Sequence, residues 1–136
     1  MPFVLDPSVS ATWCFPDEAH GTAEAAFDLL AGDEAIVPAF WWFEIRNILV
    51  VNERRGRIDA VETACFLADL ERLSIRIDRE PDSETVLALA RKHNLTGYDA
   101  AYLELARRQG LPLASLDRAL VAAARADGVP LLASPD

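Results

Sequence analysis

Four acidic residues occupy positions in this sequence where a carboxylate could do chemistry: Asp6, Glu44, Asp99 and Asp117. Asp6 closes the apolar run at residues 3–5, and Asp117 follows the apolar run at residues 113–115 by one residue. If both runs are strands of one parallel sheet, the two carboxylates project at the same edge. Taken singly, each acid has an ordinary explanation, because Asp6 suits a turn with Pro7 and Ser8, and Asp117 suits a helix N-cap.

Glu44 lies inside residues 39–51, which are apolar on nearly every side. This pattern predicts a helix that is buried almost all round, where a carboxylate is costly unless a cation, a hydrogen bond or a metal compensates it. Asn47, one turn later, lies on the same face and can donate a hydrogen bond to Glu44. Pairing of Glu44 with Arg46 or with a dimer partner explains the acid equally well.

Asp99 follows Thr96, Gly97 and Tyr98 at the predicted start of a helix, where an acid ordinarily complements the helix dipole. All four acids, however, can reach one edge of one sheet, and like charges that close together need a metal. Oxygen ligands without histidine or cysteine favour Mg²⁺ or Mn²⁺ over zinc. The residues themselves therefore suggest a magnesium or manganese site.

Short apolar runs alternate with amphipathic segments along the chain, and this alternation predicts the elements that position the acids. The class is an α/β three-layer sandwich, with a short parallel sheet covered by helices on both faces. Ligands of such sheets bind beyond the carboxyl ends of the strands, where the strand order reverses. The predicted strands are residues 3–5, 35–37, 74–77 and 113–115, with a short edge strand at 131–132. The predicted helices are 18–31 with Gly32 as a left-handed cap, 38–55, one opened by an Asp59–Glu62 capping box, 81–94, 98–109 and 117–127.

Length and composition narrow the function further. The 136 residues predict one domain, 1–136, and 51% apolar with 26% charged residues excludes a disordered chain. No uncharged stretch is long enough to span a bilayer, and the N-terminus lacks a basic region, so we expect no signal peptide and a cytoplasmic location. Cys14 and Cys65 lack metal-ligand spacing and are expected to be free thiols.

The charge distribution limits the partners. A net charge of −9 excludes a protein that coats nucleic acid non-specifically. Twelve of the thirteen basic residues are arginine, however, and a guanidinium group can donate two hydrogen bonds to one phosphate. His20 and His93 support neither a zinc site nor a hydrolase triad, and both are expected to be ordinary surface or interface residues. No glycine-rich nucleotide-binding motif occurs.

Three segments of the sequence carry a resemblance to a known family: VLDPSVSATW, VPAFWWFEIRNIL and LTGYDAAYLELARRQGLPLASLD. Together they resemble the PIN-domain nucleases, in particular the VapC-type toxins of bacterial toxin–antitoxin pairs, from Phe3 to about Leu132. The resemblance implies that the four acids are catalytic metal ligands, with the hydroxyls of Ser8 and Ser115 and the amide of Asn47 supporting them. Pro7 departs from the family pattern, because a small residue is more usual there and proline removes a backbone N–H beside the site.

The resemblance implies an endoribonuclease with Mg²⁺ or Mn²⁺ as cofactor, in which metal-held water attacks an RNA phosphodiester. One or two ions fit the pattern, and either Glu44 or Asp117 could accept the proton of the water. A cationic patch near the end of the Glu44 helix is the candidate contact to the RNA backbone: Arg46, Arg54, Arg55 and Arg57. A solvated helix end explains these arginines at least as well.

Two other functions compete with the nuclease. A non-catalytic acidic pocket could receive a basic partner peptide, and a phosphoacceptor receiver domain also places acids at strand ends. The receiver ranks last because the only lysine, Lys92, lies on a predicted helix instead of after a late strand.

Two protein partners are expected. The aromatic run at residues 40–43 is too large for one side of a helix, which favours a homodimer over packing of all four rings inside the domain. The resemblance also implies an antitoxin whose basic segment enters the acidic cleft and silences the enzyme.

Overall fold

Four short strands and seven α-helices alternate along residues 1–18 and 20–132, the part of the chain that the computed structural model describes. The strands are β1 (Phe3–Leu5), β2 (Ala35–Pro38), β3 (Ile75–Asp78) and β4 (Leu113–Ala114). The helices are α1 (Pro7–Ser10), α2 (Gly21–Leu29), α3 (Trp41–Arg54), α4 (Ala60–Glu71), α5 (Ser83–His93), α6 (Gly97–Gln109) and α7 (Arg118–Ala126). Two 3-10 turns, Ala11–Cys14 and Pro16–Glu18, follow α1.

The strands form one parallel sheet in the order β3-β2-β1-β4. Val4 of β1 aligns with Ile36 of β2 on one side and with Leu113 of β4 on the other. The chain therefore moves outward from β1 to β3 and then returns to the opposite side of β1. The strand order reverses between β1 and β4, and a ligand site is expected at the carboxyl ends of these two strands.

Helices cover both faces of this sheet, as the three-layer prediction requires. All three residues of β1 are fully buried, although successive side chains of a strand point to opposite faces. Helix α6 packs on β1, β2 and β4, and it is buried along seven consecutive residues, Ala100–Ala106. The predicted runs match the four observed strands within one residue. Strands β1, β2 and β4 are buried at every position, as strands covered on both faces are.

Helix α3 differs from its prediction in two ways. It begins at Trp41 instead of Pro38, because Pro38 is the last residue of β2. Burial follows one stripe through Trp41, Ile45 and Leu49, so the expectation of burial almost all round is wrong. Trp42 and Phe43, on the other side, are 44% and 69% exposed.

The helix boundaries confirm several local signals and correct two. Asp59 and Glu62 form the predicted capping box, and Gly56 and Gly110 take left-handed conformations with φ of 76° and 67°. Helix α2 is shorter than predicted, and Gly32 does not adopt the left-handed conformation that we expected. Ala19, which the predicted helix included, lies outside the described residues.

The remaining predictions concern the edge of the sheet, the cysteines and the membrane. Leu131 pairs with Leu113 in a single parallel bridge, so the edge strand is present only as one pairing. Cys14 and Cys65 are free thiols. Within residues 1–18 and 20–132, no helix has the length and apolar character needed to cross a membrane.

Candidate active site

Asp6 is the most buried acid at the edge where the strand order reverses. It follows β1 directly, its side chain is only 4% exposed, and its backbone N–H donates to the carbonyl of Ala114 in β4. The hydroxyls of Ser8 and Ser115 donate to its Oδ2 at 2.5 and 2.8 Å. Burial raises the pKa of Asp6 to about 6, against the lowering effect of these two hydroxyls.

The two serines also hold the loop after β4. The Ser8 hydroxyl accepts a hydrogen bond from the backbone N–H of Leu116 at 2.9 Å, and that of Ser115 accepts one from Asp117 at 3.0 Å. Pro7 occupies the first position of α1, where no backbone N–H is needed, so its departure from the family pattern fits the local structure. Ser8 and Ser115 thus join the two strand ends at Asp6.

Asp117 is the N-cap of α7, as its ordinary explanation required. Its Oδ1 accepts a hydrogen bond from the backbone N–H of Leu120 at 2.9 Å. Capping uses one carboxylate oxygen and fixes the side chain near the serines, so the structural role and a ligand role are compatible.

Glu44 lies on α3 and accepts a hydrogen bond from the hydroxyl of Tyr102 at 2.5 Å. Burial raises the pKa of Glu44, and the Tyr102 hydroxyl opposes this effect. The partner that we expected, Asn47, is exposed, and Arg46 stacks over the Trp42 ring with its guanidinium carbon 3.6 Å from the ring centroid. The residue that holds Glu44 was therefore missed, although Tyr102 lies three positions after Asp99, on the same face of α6.

Asp99 lies in the first turn of α6, and Thr96 caps that helix by accepting from the Asp99 backbone N–H at 3.1 Å. Burial raises the pKa of Asp99, and the negative charge of Asp117 raises it further. Asp99 and Glu44 in turn raise the pKa of Asp6. The charges of Glu44, Asp99 and Asp117 thus each act on another acid of the group. We call the four predicted acids the carboxylate quartet.

The chemistry of the quartet fits a hard divalent cation. Asp6, Glu44 and Asp117 each have one oxygen held by a hydrogen bond, and no hydrogen bond to the other oxygen is found among the described residues. Anionic oxygens are the ligands that Mg²⁺ and Mn²⁺ prefer. As placed, no three His, Cys, Asp or Glu side chains within residues 1–18 and 20–132 converge closely enough to hold an ion.

The predicted arginine patch is divided by the fold. Arg57 donates to Asp17 and Glu18 at 3.0 and 2.9 Å, and Arg46 covers Trp42. Both guanidinium groups are therefore engaged within the chain, which does not favour the patch that we expected. Arg54 and Arg55 are exposed at the end of α3.

The fold and the site define an α/β protein whose parallel sheet carries acids at its switch point, and comparison with known proteins identifies the family. The family model described as PIN domain matches residues 3–126. The chain belongs to the PIN domain family, which confirms the resemblance seen in the sequence.

Two curated relatives come from Pyrobaculum aerophilum. Ribonuclease VapC3 is 32% identical over 99% of this chain and 100% of its own length. Exonuclease VapC9 is 34% identical over 59% of each chain.

Two solved structures have the same fold. The Pyrobaculum aerophilum protein PAE2754 aligns with a TM-score of 0.71 at 24% identity, over 90% of this chain and 84% of that one. VapC20 of Mycobacterium tuberculosis, a toxin that cleaves the sarcin-ricin loop, aligns with a TM-score of 0.60 at 17% identity, over 89% of this chain and 94% of that one. At these identities the likeness supports the fold alone.

Proposed function

We propose that this chain is a divalent-metal-dependent endoribonuclease and the toxin of a toxin–antitoxin pair, with Asp6, Glu44, Asp99 and Asp117 as its catalytic metal ligands. Its ribonuclease activity follows from membership of the PIN family and from full-length similarity to Ribonuclease VapC3. Beyond this activity, we propose three further properties: metal dependence, the identity of the metal as Mg²⁺ or Mn²⁺, and the ligand set. A single domain over residues 1–136 is part of it, supported by one sheet and one apolar core.

The observation that carries the proposal is the type of partner around the buried acid Asp6. It has neutral hydroxyl donors and negative neighbours, and no arginine or lysine bonds to it among the described residues. A buried carboxylate in this environment is unstable as an anion unless a cation is supplied from outside. Asp6, Glu44, Asp99 and Asp117 would hold a divalent ion, which would supply that charge, activate a water and polarise the phosphodiester.

The residues of the chain divide the remaining work. Ser8 and Ser115 orient Asp6, Tyr102 orients Glu44, and the cap of α7 orients Asp117. We propose that cation binding draws the carboxylates together, because no three acidic side chains among the described residues converge closely enough to hold an ion as placed. Asn47, which is exposed one turn after Glu44, remains a proposed supporting amide.

Cleavage of a labelled single-stranded or loop RNA tests the proposal. We expect cleavage with Mg²⁺ or Mn²⁺, none with excess chelator, and recovery when the metal is restored. A chain that binds a basic peptide but cleaves no RNA with either metal would be the acidic-pocket binding module, the alternative that the comparisons do not favour. Equal cleavage by the unchanged chain and by both Asp6→Asn and Asp99→Asn would show that the assigned site is wrong.

A homodimer is also proposed, through the exposed face of α3. Trp42 and Phe43 pack edge to face at 4.9 Å between ring centroids yet remain 44% and 69% exposed, so the alternative in which all four rings pack inside the domain is wrong. Exposed aromatic pairs of this size are typical of an interface. Light scattering at micromolar concentration should give twice the mass of one chain, and Phe43→Ser should reduce it.

We also propose that the chain is cytoplasmic and that its protein partner is an antitoxin. A basic segment of this antitoxin occupies the acidic cleft. The quartet is negative and the chain carries a net charge of −9, which favours an arginine- or lysine-bearing segment there. Inhibition by the partner should weaken when its cationic residues are replaced by alanine. Unchanged inhibition would place the inhibitory contact elsewhere.

A further inference from the structure

A groove beside β4 and α7 shares a wall with the candidate active site. It has a volume of about 230 Å³, and its polar lining residues include His20, Ser115, Arg118 and Arg125. Ser115 belongs to both places, because its hydroxyl donates to Asp6 while its side chain also lines the groove. Arg118 directly follows the quartet member Asp117. The groove, which we call the α7 groove, therefore adjoins the candidate active site through Ser115 and the start of α7.

The lining of the α7 groove combines two arginines with four apolar residues: Leu116, Val121, Leu131 and Leu132. Arg118 and Arg125 lie seven residues apart on one face of α7, with Val121 between them, and all three line the groove. Both arginines are exposed, and neither takes part in an ion pair among the described residues. Among the residues that the structure describes, none of those lining the α7 groove is a carboxylate. The four other cavities that we compared are each lined by at least one carboxylate: Glu71, Asp82 with Glu104, Asp78 and Asp69.

His20 adds a neutral donor to the same wall. Its Nδ1 accepts a hydrogen bond from the backbone N–H of Thr22 at 3.1 Å, which caps α2. A neutral imidazole that accepts at Nδ1 carries its proton at Nε2. This N–H can donate to an anionic oxygen in the groove.

We propose that the α7 groove binds backbone phosphates of the RNA strand next to the cleaved phosphodiester, with Arg118 and Arg125 as the main contacts. The inference rests on the proposed ribonuclease function and deepens it. In a chain with 22 acids and 13 basic residues, a groove beside the catalytic edge with two arginines and no carboxylate among its described lining residues favours the binding of a polyanion. Guanidinium groups bind phosphate oxygens with two parallel hydrogen bonds, and binding is independent of base sequence.

Equilibrium binding of a fluorescent single-stranded oligoribonucleotide tests this assignment. The measurement uses the full chain with excess chelator, so that no cleavage occurs. Arg118→Ala and Arg125→Ala should each weaken binding by about three- to tenfold at low salt, and each should reduce the slope of log Kd against log salt by about one. Arg118→Lys should recover part of the affinity because it keeps the charge. Arg91→Ala, an exposed arginine on α5, is the matched control and should bind like the unchanged chain.

Cleavage kinetics with Mn²⁺ separate this inference from the proposed function. Loss of a phosphate contact should raise KM while leaving kcat within about twofold. Cleavage and binding that both match the Arg91→Ala control would overturn the groove and leave the nuclease proposal intact. If the unchanged chain neither binds nor cleaves RNA, both proposals fail. Tighter binding of an oligoglutamate peptide than of RNA to the groove would assign it to an acidic protein partner and overturn the RNA assignment.

Discussion

Two clusters of acidic side chains flank helix α6, and they are compensated in opposite ways. Glu104, 1% exposed, accepts two hydrogen bonds from Nε of Arg108, at 2.9 and 3.1 Å, and one from the backbone N–H of Asp82. Arg108 also binds Asp78 with both terminal nitrogens. Asp6 is almost as buried, but its partners are two serine hydroxyls and its charged neighbours are acids.

We interpret this difference in bonded partners as the difference between a structural acid, Glu104, and a functional one, Asp6. Glu104 and Asp78 surround Arg108 and raise its pKa, so both acids of this arginine-bridged cluster are bonded to a cation of the chain itself. The quartet has no such cation among the described residues, and the pKa values of Asp6, Glu44 and Asp99 are each raised by burial and by a neighbouring acid. Burial alone therefore does not identify a catalytic acid. The absence of a bonded cation beside a buried acid is the more informative feature.

Catalysis should show the largest difference between the clusters. Asp6→Asn keeps the volume and removes the charge, and we expect cleavage to fall by about 10²–10³-fold while the chain stays folded. Glu104→Gln should retain the cleavage rate of its folded fraction. Initial rates with Mn²⁺, normalised to folded protein by circular dichroism, check both. Similar losses in the two variants would remove the distinction.

The pH dependence of stability should separate the clusters next. The pKa of Asp6 rises from 3.8 to about 6 on folding, so the folded chain holds this proton more tightly than the unfolded chain. Below about pH 4, Asp6 contributes close to nothing to the free energy of unfolding through its ionisation. As the pH rises from about 4 to 6 it destabilises the fold increasingly, and above that window the destabilisation stays near 3 kcal/mol. The free energy of unfolding in chelator should therefore fall between pH 4 and 7 by about that much more in the unchanged chain than in Asp6→Asn. Parallel pH curves for the two proteins would contradict this explanation.

Removing the structural acid should cost stability at neutral pH. Glu104→Gln leaves Arg108 with Asp78 as its remaining carboxylate partner among the described residues, and we expect a loss of about 2 kcal/mol because Arg108 is partly exposed. Asp28→Asn, at an exposed position on α2, should change the free energy of unfolding by less than about 0.5 kcal/mol. Urea unfolding measures both. A Glu104→Gln chain as stable as the control would mean that this cluster is not structural.

The smallest effect concerns the hydroxyl that orients Glu44. Tyr102→Phe removes one hydrogen bond and keeps the ring against Phe40, so the stability loss should be about 1 kcal/mol. Since the hydroxyl lowers the pKa of Glu44, its removal should move the acid limb of the cleavage-rate profile to higher pH. An unshifted acid limb would mean that Tyr102 does not act through Glu44.

Structural features that depend on residues close together in the chain were predicted well from the sequence. Strand positions, the Asp59–Glu62 capping box and the placement of Asp6 and Asp117 after strands follow from local patterns. The pairs that the sequence analysis missed join distant residues: Tyr102 meets Glu44 from 58 positions away, and Arg57 meets Asp17 from 40. Such pairs depend on how helices pack, which residue spacing does not encode.

Titration with Mn²⁺ tests the central claim most directly, because it measures whether the quartet binds a cation that no described side chain supplies. Calorimetry on the full chain should detect Mn²⁺ binding, and millimolar Mn²⁺ should raise the melting temperature. Asp6→Asn should lose both responses, whereas Glu104→Gln should keep them. Equal Mn²⁺ affinity in the unchanged chain and Asp6→Asn, or no binding by the unchanged chain, would contradict the account.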